Sequence, residues 1–118
     1  MKILIVEDSE PMRRMVKSFV DDLVDEFVEC GDGSQALDAY TRQHPDLVLM
    51  DIKMRQMGGF EATRQIKAAF PEARVFIVSQ SDSPALREAA RAAGAESYIS
   101  KSDLLPLRDL LEAGLPKP

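Results

Sequence analysis

The stretch LVLMD at residues 47–51 joins four apolar residues to an aspartate, and this pattern indicates the fold class. A run of four apolar residues has the length of a β-strand, and unbroken apolarity is typical of a strand buried on both faces. The runs ILIV at residues 3–6 and VFIV at residues 75–78 share that character. FVEC at residues 27–30 and YI at residues 98–99 are accompanied by polar residues. We therefore predict three interior and two edge strands.

Helical patterns follow the predicted strands, since apolar side chains recur at spacings of three and four residues. Ser9 is the expected N-cap of the first helix, and Ser83-Pro84 and Gly94 bound the fourth. The fifth helix is expected to be capped by Ser102 or Asp103. The apolar helix faces predict these core residues: Met12, Met15, Val16, Phe19, Val20, Leu23, Ala36, Leu37, Tyr40, Ala62, Ile66, Phe70, Leu86, Ala89, Ala90, Ala93, Leu104, Leu107, Leu110 and Leu111.

Alternation of strands and helices predicts an α/β protein whose parallel sheet has helices on both faces. Placing the first, third and fourth strands inside gives the order 2-1-3-4-5 of a flavodoxin-like doubly wound (βα)5 fold. A chain of 118 residues is long enough to build one core, and no repeat or linker interrupts it. We predict a single domain over residues 1–118.

Composition limits the classes of function. The net charge of −5 argues against direct nucleic-acid binding, which needs a basic surface. The single cysteine, Cys30, cannot form an internal disulfide and is expected to be a small buried residue. No apolar stretch approaches the roughly 20 residues of a membrane span, and no signal-peptide pattern opens the chain. We expect a cytoplasmic protein without a membrane segment.

Chemically active residues follow four of the predicted strands. Glu7 and Asp8 follow the first strand, Asp51 the third, Ser79 the fourth and Lys101 the fifth. In a doubly wound sheet, ligands bind beyond the carboxyl ends of the strands, near the point where the strand order reverses. We therefore expect these side chains to meet in one pocket.

Three carboxylates in one pocket need either raised pKa values or a bound divalent cation, and an all-oxygen site with open positions suits Mg²⁺. Asp51 would then act as a nucleophile on phosphorus and form an acyl phosphate. Ser79 and Lys101 would bind the phosphoryl oxygens and neutralise their charge. Each residue alone is equally well explained as a cap, a turn residue or a surface charge; the hypothesis rests on the set.

The set resembles the receiver domain of two-component response regulators. The segments that carry the resemblance are ILIVED at residues 3–8, LVLMDIKM at residues 47–54, Ser79, and the run from Gly94 to Lys101. They extend over nearly the whole chain with the spacing of that family. The resemblance implies a phosphorylation-dependent switch that is a phosphoacceptor and not an enzyme.

The resemblance also implies roles for particular residues. Phosphorylation would draw in the switch hydroxyl, turn a strand-five aromatic inward and alter the face formed by helix 4, strand 5 and helix 5. The implied roles are metal binding by Glu7, Asp8, Asp51 and the Lys53 backbone carbonyl, phosphoryl acceptance by Asp51, phosphoryl binding by Ser79 and Lys101, and switching by Ser79 and Tyr98.

Implied partners are a sensor histidine kinase or phosphotransfer protein, and an output domain or docking protein. A homodimer through helices 4 and 5 would use Pro84, Leu86 and the helix-five leucines, although burial of those leucines against the sheet explains them equally well. The output domain is expected to be absent or removed from this chain.

Four residues depart from the family pattern. Arg55 stands where proline is common, Gly58 where an aspartate often precedes the glycine, and Gln80 where a small residue is favoured. Ser102 replaces a common proline, as in receivers attached to LuxR-type regulators, which favours a role in transcription. Gly59 keeps the glycine position, which we interpret as a need for flexibility.

Three alternatives compete with this hypothesis. Haloacid dehalogenase-type phosphatases require an acidic residue where this chain has Lys53. Flavodoxin-like cofactor binders require an uncharged phosphate loop after the first strand, which here is acidic. A pseudo-receiver, a protein-binding module without phosphorylation, stays open, and loss of a pocket residue would favour it.

Overall fold

A computed structural model of the chain describes residues 1–115; the end of the predicted domain, residues 116–118, lies outside the described residues. Strands and helices alternate along the chain. The strands are β1 (Lys2–Val6), β2 (Glu26–Cys30), β3 (Leu47–Met50), β4 (Val75–Ser79) and β5 (Ser97–Ser100). The helices are α1 (Glu10–Val20), α2 (Ala36–Gln43), α3 (Gly59–Ala69), α4 (Pro84–Ala93) and α5 (Leu105–Glu112).

The strands form one parallel sheet in the order β2-β1-β3-β4-β5, which confirms the predicted topology. The inner strand β1 ends at Val6, which is in register with Cys30 of β2 and Met50 of β3. On the other side, Ser79 of β4 is in register with Ser100 of β5. The carboxyl ends of the strands therefore form one edge, where the residues that follow them lie side by side.

The unbroken apolarity of the inner strands has a simple cause: alternate residues of β1 face two different cores. Leu4 packs with residues of α2, α3 and α4, such as Tyr40 and Ile66. Ile3 and Ile5 pack on the opposite face with α1 and α5, where Val16 and Leu107 lie. Both faces are covered, which explains why residues 3–6, 47–50 and 75–78 of the inner strands are all apolar.

Caps predicted from the sequence begin two of the helices. The Ser9 hydroxyl accepts the Met12 N–H at 3.3 Å before α1, and the Ser83 hydroxyl accepts the Leu86 N–H at 3.1 Å before α4. Gly94 ends α4 with a φ of 106°, a left-handed conformation that favours glycine. Cys30 is buried, as predicted, and burial raises the pKa of its thiol.

The start of α5 was predicted wrongly. Leu104, and not Ser102 or Asp103, is the N-cap residue, and its side chain makes no capping hydrogen bond. Asp103 instead accepts the Leu105 N–H at 3.2 Å, and Ser102 bonds to Ser100. Because the Leu104 side chain is buried, the chain turns into the core before the helix begins.

Two further expectations need correction. Met15 is 40% exposed and not a core residue, because the buried stripe of α1 runs through Val16 and Val20. Gly59 is helical and does not have positive φ. A Cβ atom at Gly59 would lie 1.9 Å from the Asp51 carbonyl oxygen, so the position requires a close backbone approach and not flexibility.

None of the described helices is both long enough and apolar enough to cross a membrane.

Candidate functional site

A polar cavity of about 250 Å³ opens at the carboxyl edge of the sheet. Its position beside the ends of β1 and β3 is the place where strand order reverses. Gln80 and Ser81 also line it. Six residues predicted from the sequence lie in its wall: Glu7, Asp8, Asp51, Lys53, Ser79 and Lys101.

The sheet itself positions the charged residues of the pocket. Beyond β1, β3 and β5 the ladder continues for one residue: the Glu7 N–H donates to the Cys30 carbonyl at 3.0 Å, and the Asp51 N–H donates to the Val6 carbonyl at 2.9 Å. The Lys101 N–H donates to the Ser79 carbonyl at 2.8 Å. These side chains therefore stand on backbone that has the rigidity of the sheet.

Three carboxylates meet in the pocket. Oxygen atoms of Glu7, Asp8 and Asp51 all lie within 4.8 Å of one another. Glu7 and Asp51 are buried, with 4% and 8% exposure, whereas Asp8 is exposed. A hydrogen bond with Glu7, burial and repulsion from the Glu7 charge together raise the pKa of Asp8. This donor set, all oxygen and half open to solvent, fits a hard divalent cation such as Mg²⁺.

Lys101 pairs with both buried carboxylates. Its ammonium pairs with Glu7 and lies 3.1 Å from Asp51, and only 8% of its side chain is exposed. Burial lowers the pKa of Lys101, but the two carboxylates outweigh burial and the pKa is raised. Lys53 is exposed and forms no ion pair with any of the described residues, 1–115.

A chain of hydrogen bonds leads from the pocket to the sheet edge. The Ser79 hydroxyl accepts the Ser81 N–H at 3.1 Å, and the Ser81 carbonyl accepts the Tyr98 hydroxyl at 2.5 Å. The Arg87 guanidinium lies 5.0 Å from the centre of the Tyr98 ring and pairs with Asp82. Tyr98 itself lies outside the pocket wall.

Two residues at the carboxyl ends of the strands, Ser81 and Asp32, were not predicted from the sequence. Ser81 has no signal in the sequence, because its role depends on backbone atoms. Asp32 follows β2 and bonds to the loop after β3, and reading the residues after the second strand, as for the other four, would have found it.

Comparisons with known proteins agree with this geometry. Residues 3–112 match the family described as the response regulator receiver domain. The chain belongs to this family. Within it, the chain is 38% identical over 102 residues to the chemotaxis protein CheY of Listeria monocytogenes, covering 86% of each protein.

Two proteins described as response regulators are also similar to the chain. A two-component response regulator of the LuxR family from an Aurantimonas species has a TM-score of 0.87 and 31% identity, covering 95% of this chain and 82% of that one. The response regulator protein VraR of Staphylococcus aureus is 37% identical over 106 residues, covering 86% of this chain but 49% of VraR. The predicted family and fold are thus confirmed, and a receiver domain takes part in two-component signalling as a phosphoacceptor.

Proposed function

We propose that this receiver domain accepts a phosphoryl group on Asp51 and thereby switches the surface formed by α4, β5 and α5. One observation carries the proposal: a half-buried pocket joins the Asp51 carboxylate to a lysine, a hydroxyl and two further carboxylates.

Phosphoryl transfer would use residues already placed in the pocket. An Asp51 carboxylate oxygen attacks phosphorus, and an acyl phosphate forms as the bond from phosphorus to the donor's leaving atom breaks. That atom is an imidazole nitrogen in a phosphohistidine donor and an oxygen in acetyl phosphate. Lys101 lies close enough to Asp51 to bind a phosphoryl oxygen there. The Ser79 hydroxyl accepts the Ser81 N–H and keeps its own proton free to donate to a second oxygen.

Glu7, Asp8, Asp51 and the Lys53 backbone carbonyl would hold Mg²⁺. When bound, Mg²⁺ supplies positive charge that offsets the carboxylates and the incoming phosphoryl oxygens. Glu7 and Asp51 now share Lys101, so release of Lys101 from Glu7 would free that lysine for the phosphoryl group.

The switch would run through the chain of hydrogen bonds that joins Ser79, Ser81 and Tyr98. Movement of Ser79 toward a phosphoryl group would pull on the Ser81 N–H and disturb the bond between Ser81 and Tyr98. Tyr98 would then leave its contact with Arg87 on α4. The charge of the phosphoryl group would thus shift the equilibrium between two conformations of the surface formed by α4, β5 and α5.

The partners are part of the proposal. A sensor histidine kinase or phosphotransfer protein would supply the phosphoryl group in the cytoplasm, and the altered face would act on an output domain or docking protein. Similarity to LuxR-family regulators favours transcription as the output. A homodimer through α4 and α5 stays a prediction. Leu104, Leu107 and Leu111 are buried, so such a face would depend on Leu105, which is 57% exposed, and on the exposed Pro84 of α4.

Intact-mass measurement after incubation with acetyl phosphate and Mg²⁺ tests the proposal. We expect one phosphoryl adduct on the parent and on Asp46→Asn, and none on Asp51→Asn. Asp46 is a matched control because it precedes β3 at the opposite end of the strand that Asp51 follows.

Chelation of Mg²⁺ should prevent the adduct. An unlabelled parent, under conditions that label another receiver, would contradict the proposal and favour the pseudo-receiver alternative. An adduct that persists in Asp51→Asn would place the phosphoryl group on another residue.

A further inference from the structure

Asp32 connects two loops at the carboxyl edge of the sheet. One oxygen of its carboxylate accepts the Gln56 N–H at 2.9 Å. The other accepts the Met57 N–H at 3.2 Å and the Ser34 N–H at 2.9 Å. Only the bond to Ser34 is local, so two of these three bonds cross from the loop after β2 to the loop after β3.

Close packing reinforces this junction. A Cβ atom added to Gly33 would lie 2.3 Å from the Met57 carbonyl oxygen, so the two loops touch through their backbones. The Ser34 hydroxyl also contacts the Gln56 side chain at 3.3 Å. The N–H groups of residues 56 and 57 both donate to the Asp32 carboxylate, and the backbone contact beside them leaves room only for glycine at position 33. Together these contacts restrict the backbone conformation of residues 56–57.

The loop held in this way contains the site proposed for the cation. It runs from Asp51 to Gly58 without helix or strand, and Lys53 is two residues from Asp51 and three from Gln56. At its far end the Gly59 N–H donates to the Ile52 carbonyl at 2.8 Å, and Gly59 packs on the Asp51 backbone. Asp32 supplies the hydrogen bonds to its middle part.

We propose that Asp32 is a positioning residue: its carboxylate holds the loop after β3 so that the Lys53 carbonyl and Asp51 are in place for a divalent cation. The inference rests on the proposed function and extends it to a residue outside the pocket wall. Partners that orient metal ligands typically change metal affinity by about 10- to 100-fold when they are removed.

The ionisation of Asp32 agrees with this role. Hydrogen bonds from the Gln56 backbone and from Ser34 lower the pKa of Asp32 to about 2. At neutral pH the group is therefore a carboxylate that only accepts hydrogen bonds, which matches three N–H donors.

Mg²⁺ titration of the full chain, followed by backbone amide NMR shifts, tests the inference, since the chain has no tryptophan to report by fluorescence. We expect Asp32→Ala to bind Mg²⁺ about 10-fold more weakly than the parent. Asp32→Asn keeps one accepting oxygen, and its Mg²⁺ affinity should lie between those of the parent and Asp32→Ala. This second variant also tests the inference if Asp32→Ala does not fold. Amide hydrogen exchange at Gln56 and Met57, measured without Mg²⁺, should be faster in both variants.

Asp46→Ala is the matched control. The Asp46 carboxylate also accepts a backbone N–H, from Lys2 at 2.7 Å, but at the amino-terminal end of the sheet. We expect it to leave Mg²⁺ affinity unchanged even if it lowers stability. Equal Mg²⁺ affinity in the parent and the Asp32 variants would overturn this inference alone. Absence of Mg²⁺ binding by the parent would overturn the proposed function as well.

Discussion

Lys101 is the residue on which the charge balance of the pocket depends. Replacement by methionine keeps the length of the side chain but leaves Glu7 and Asp51 buried beside each other without their ammonium. We expect the free energy of unfolding in Lys101→Met to fall by about 3 kcal/mol at neutral pH without divalent cations, as when one partner of a buried ion pair is removed. Urea denaturation with a chelator present measures this loss.

Mg²⁺ should restore more stability to Lys101→Met than to the parent, because the carboxylates no longer bind a competing ammonium. Lys17→Met is the control: Lys17 pairs with Glu29 at 3.0 Å on the surface, and its loss should cost under about 1 kcal/mol. Similar losses in the two variants would show that the buried pairs contribute no more than a surface pair.

Gln80 lines the pocket directly after the Ser79 hydroxyl and is exposed. Its side chain is longer than the residue common at this position in the family, and we expect it to hinder the approach of water to a phosphorylated Asp51. Gln80→Ala should therefore lose the phosphoryl group faster than the parent. The measurement is the decay of the phosphorylated mass after removal of donor.

Gln65→Ala, a glutamine on α3 outside the pocket wall, is the matched control and should keep the parental rate. Equal rates in the parent and Gln80→Ala would show that Gln80 does not limit access.

The junction between β3 and α3 depends on one close contact between elements. Since a Cβ atom at Gly59 would clash with the Asp51 carbonyl, Gly59→Ala must push α3 away from the strand that carries Asp51. We expect a loss of about 2 kcal/mol in the free energy of unfolding, in the range of overpacked sites. Thermal or urea denaturation measures it.

Gly31→Ala is the control, because a Cβ atom there would meet nothing within 4 Å. An exposed change of this kind should alter the free energy of unfolding by less than about 0.5 kcal/mol. Equal free energies of unfolding for Gly59→Ala and Gly31→Ala would contradict this prediction, because α3 would then move away from β3 without loss of stability.

Stability of the whole molecule should fall in acid. Hydrogen bonds from the Gln56 backbone and from Ser34 hold the pKa of Asp32 at about 2, and bonds to Lys17 and to Arg108 lower the pKa values of Glu29 and Asp22. A carboxylate with a depressed pKa stabilises the folded state above its unfolded pKa, roughly 4, and this contribution disappears as pH falls through the folded pKa. The pKa of Asp8 is raised in the folded state, so protonation of Asp8 in acid favours folding and partly offsets this loss of stability.

We therefore expect the free energy of unfolding to decrease from about pH 5 to about pH 2. The difference in unfolding free energy between the parent and Asp32→Asn should be constant above about pH 5 and shrink toward about pH 2. Urea denaturation at several pH values measures both. A difference that does not change with pH would show that Asp32 ionises as it does in the unfolded chain.

Strand positions, strand order and the fold class could be predicted from the sequence alone. The apolar runs before Glu7, Asp51 and Ser79 had to be buried on both sides, and the strands that carry the polar residues Glu29 and Ser97 had to lie at the edges. Because parallel strands end at one edge, the same reasoning brought Glu7, Asp51 and Lys101 together.

Pairings between residues far apart in the chain were decided only by the tertiary structure. Lys101 and Glu7 are 94 positions apart, and a local pattern cannot say which carboxylate the ammonium contacts. The Asp32 carboxylate accepts the distant Gln56 N–H, and the Ser81 carbonyl accepts the Tyr98 hydroxyl. Residue type does not reveal which backbone group takes part in either bond, since every residue except proline offers the same N–H and C=O groups. Residue types and their spacing thus determined which chemical groups reach the edge of the sheet, and packing of the loops determined which of those groups touch.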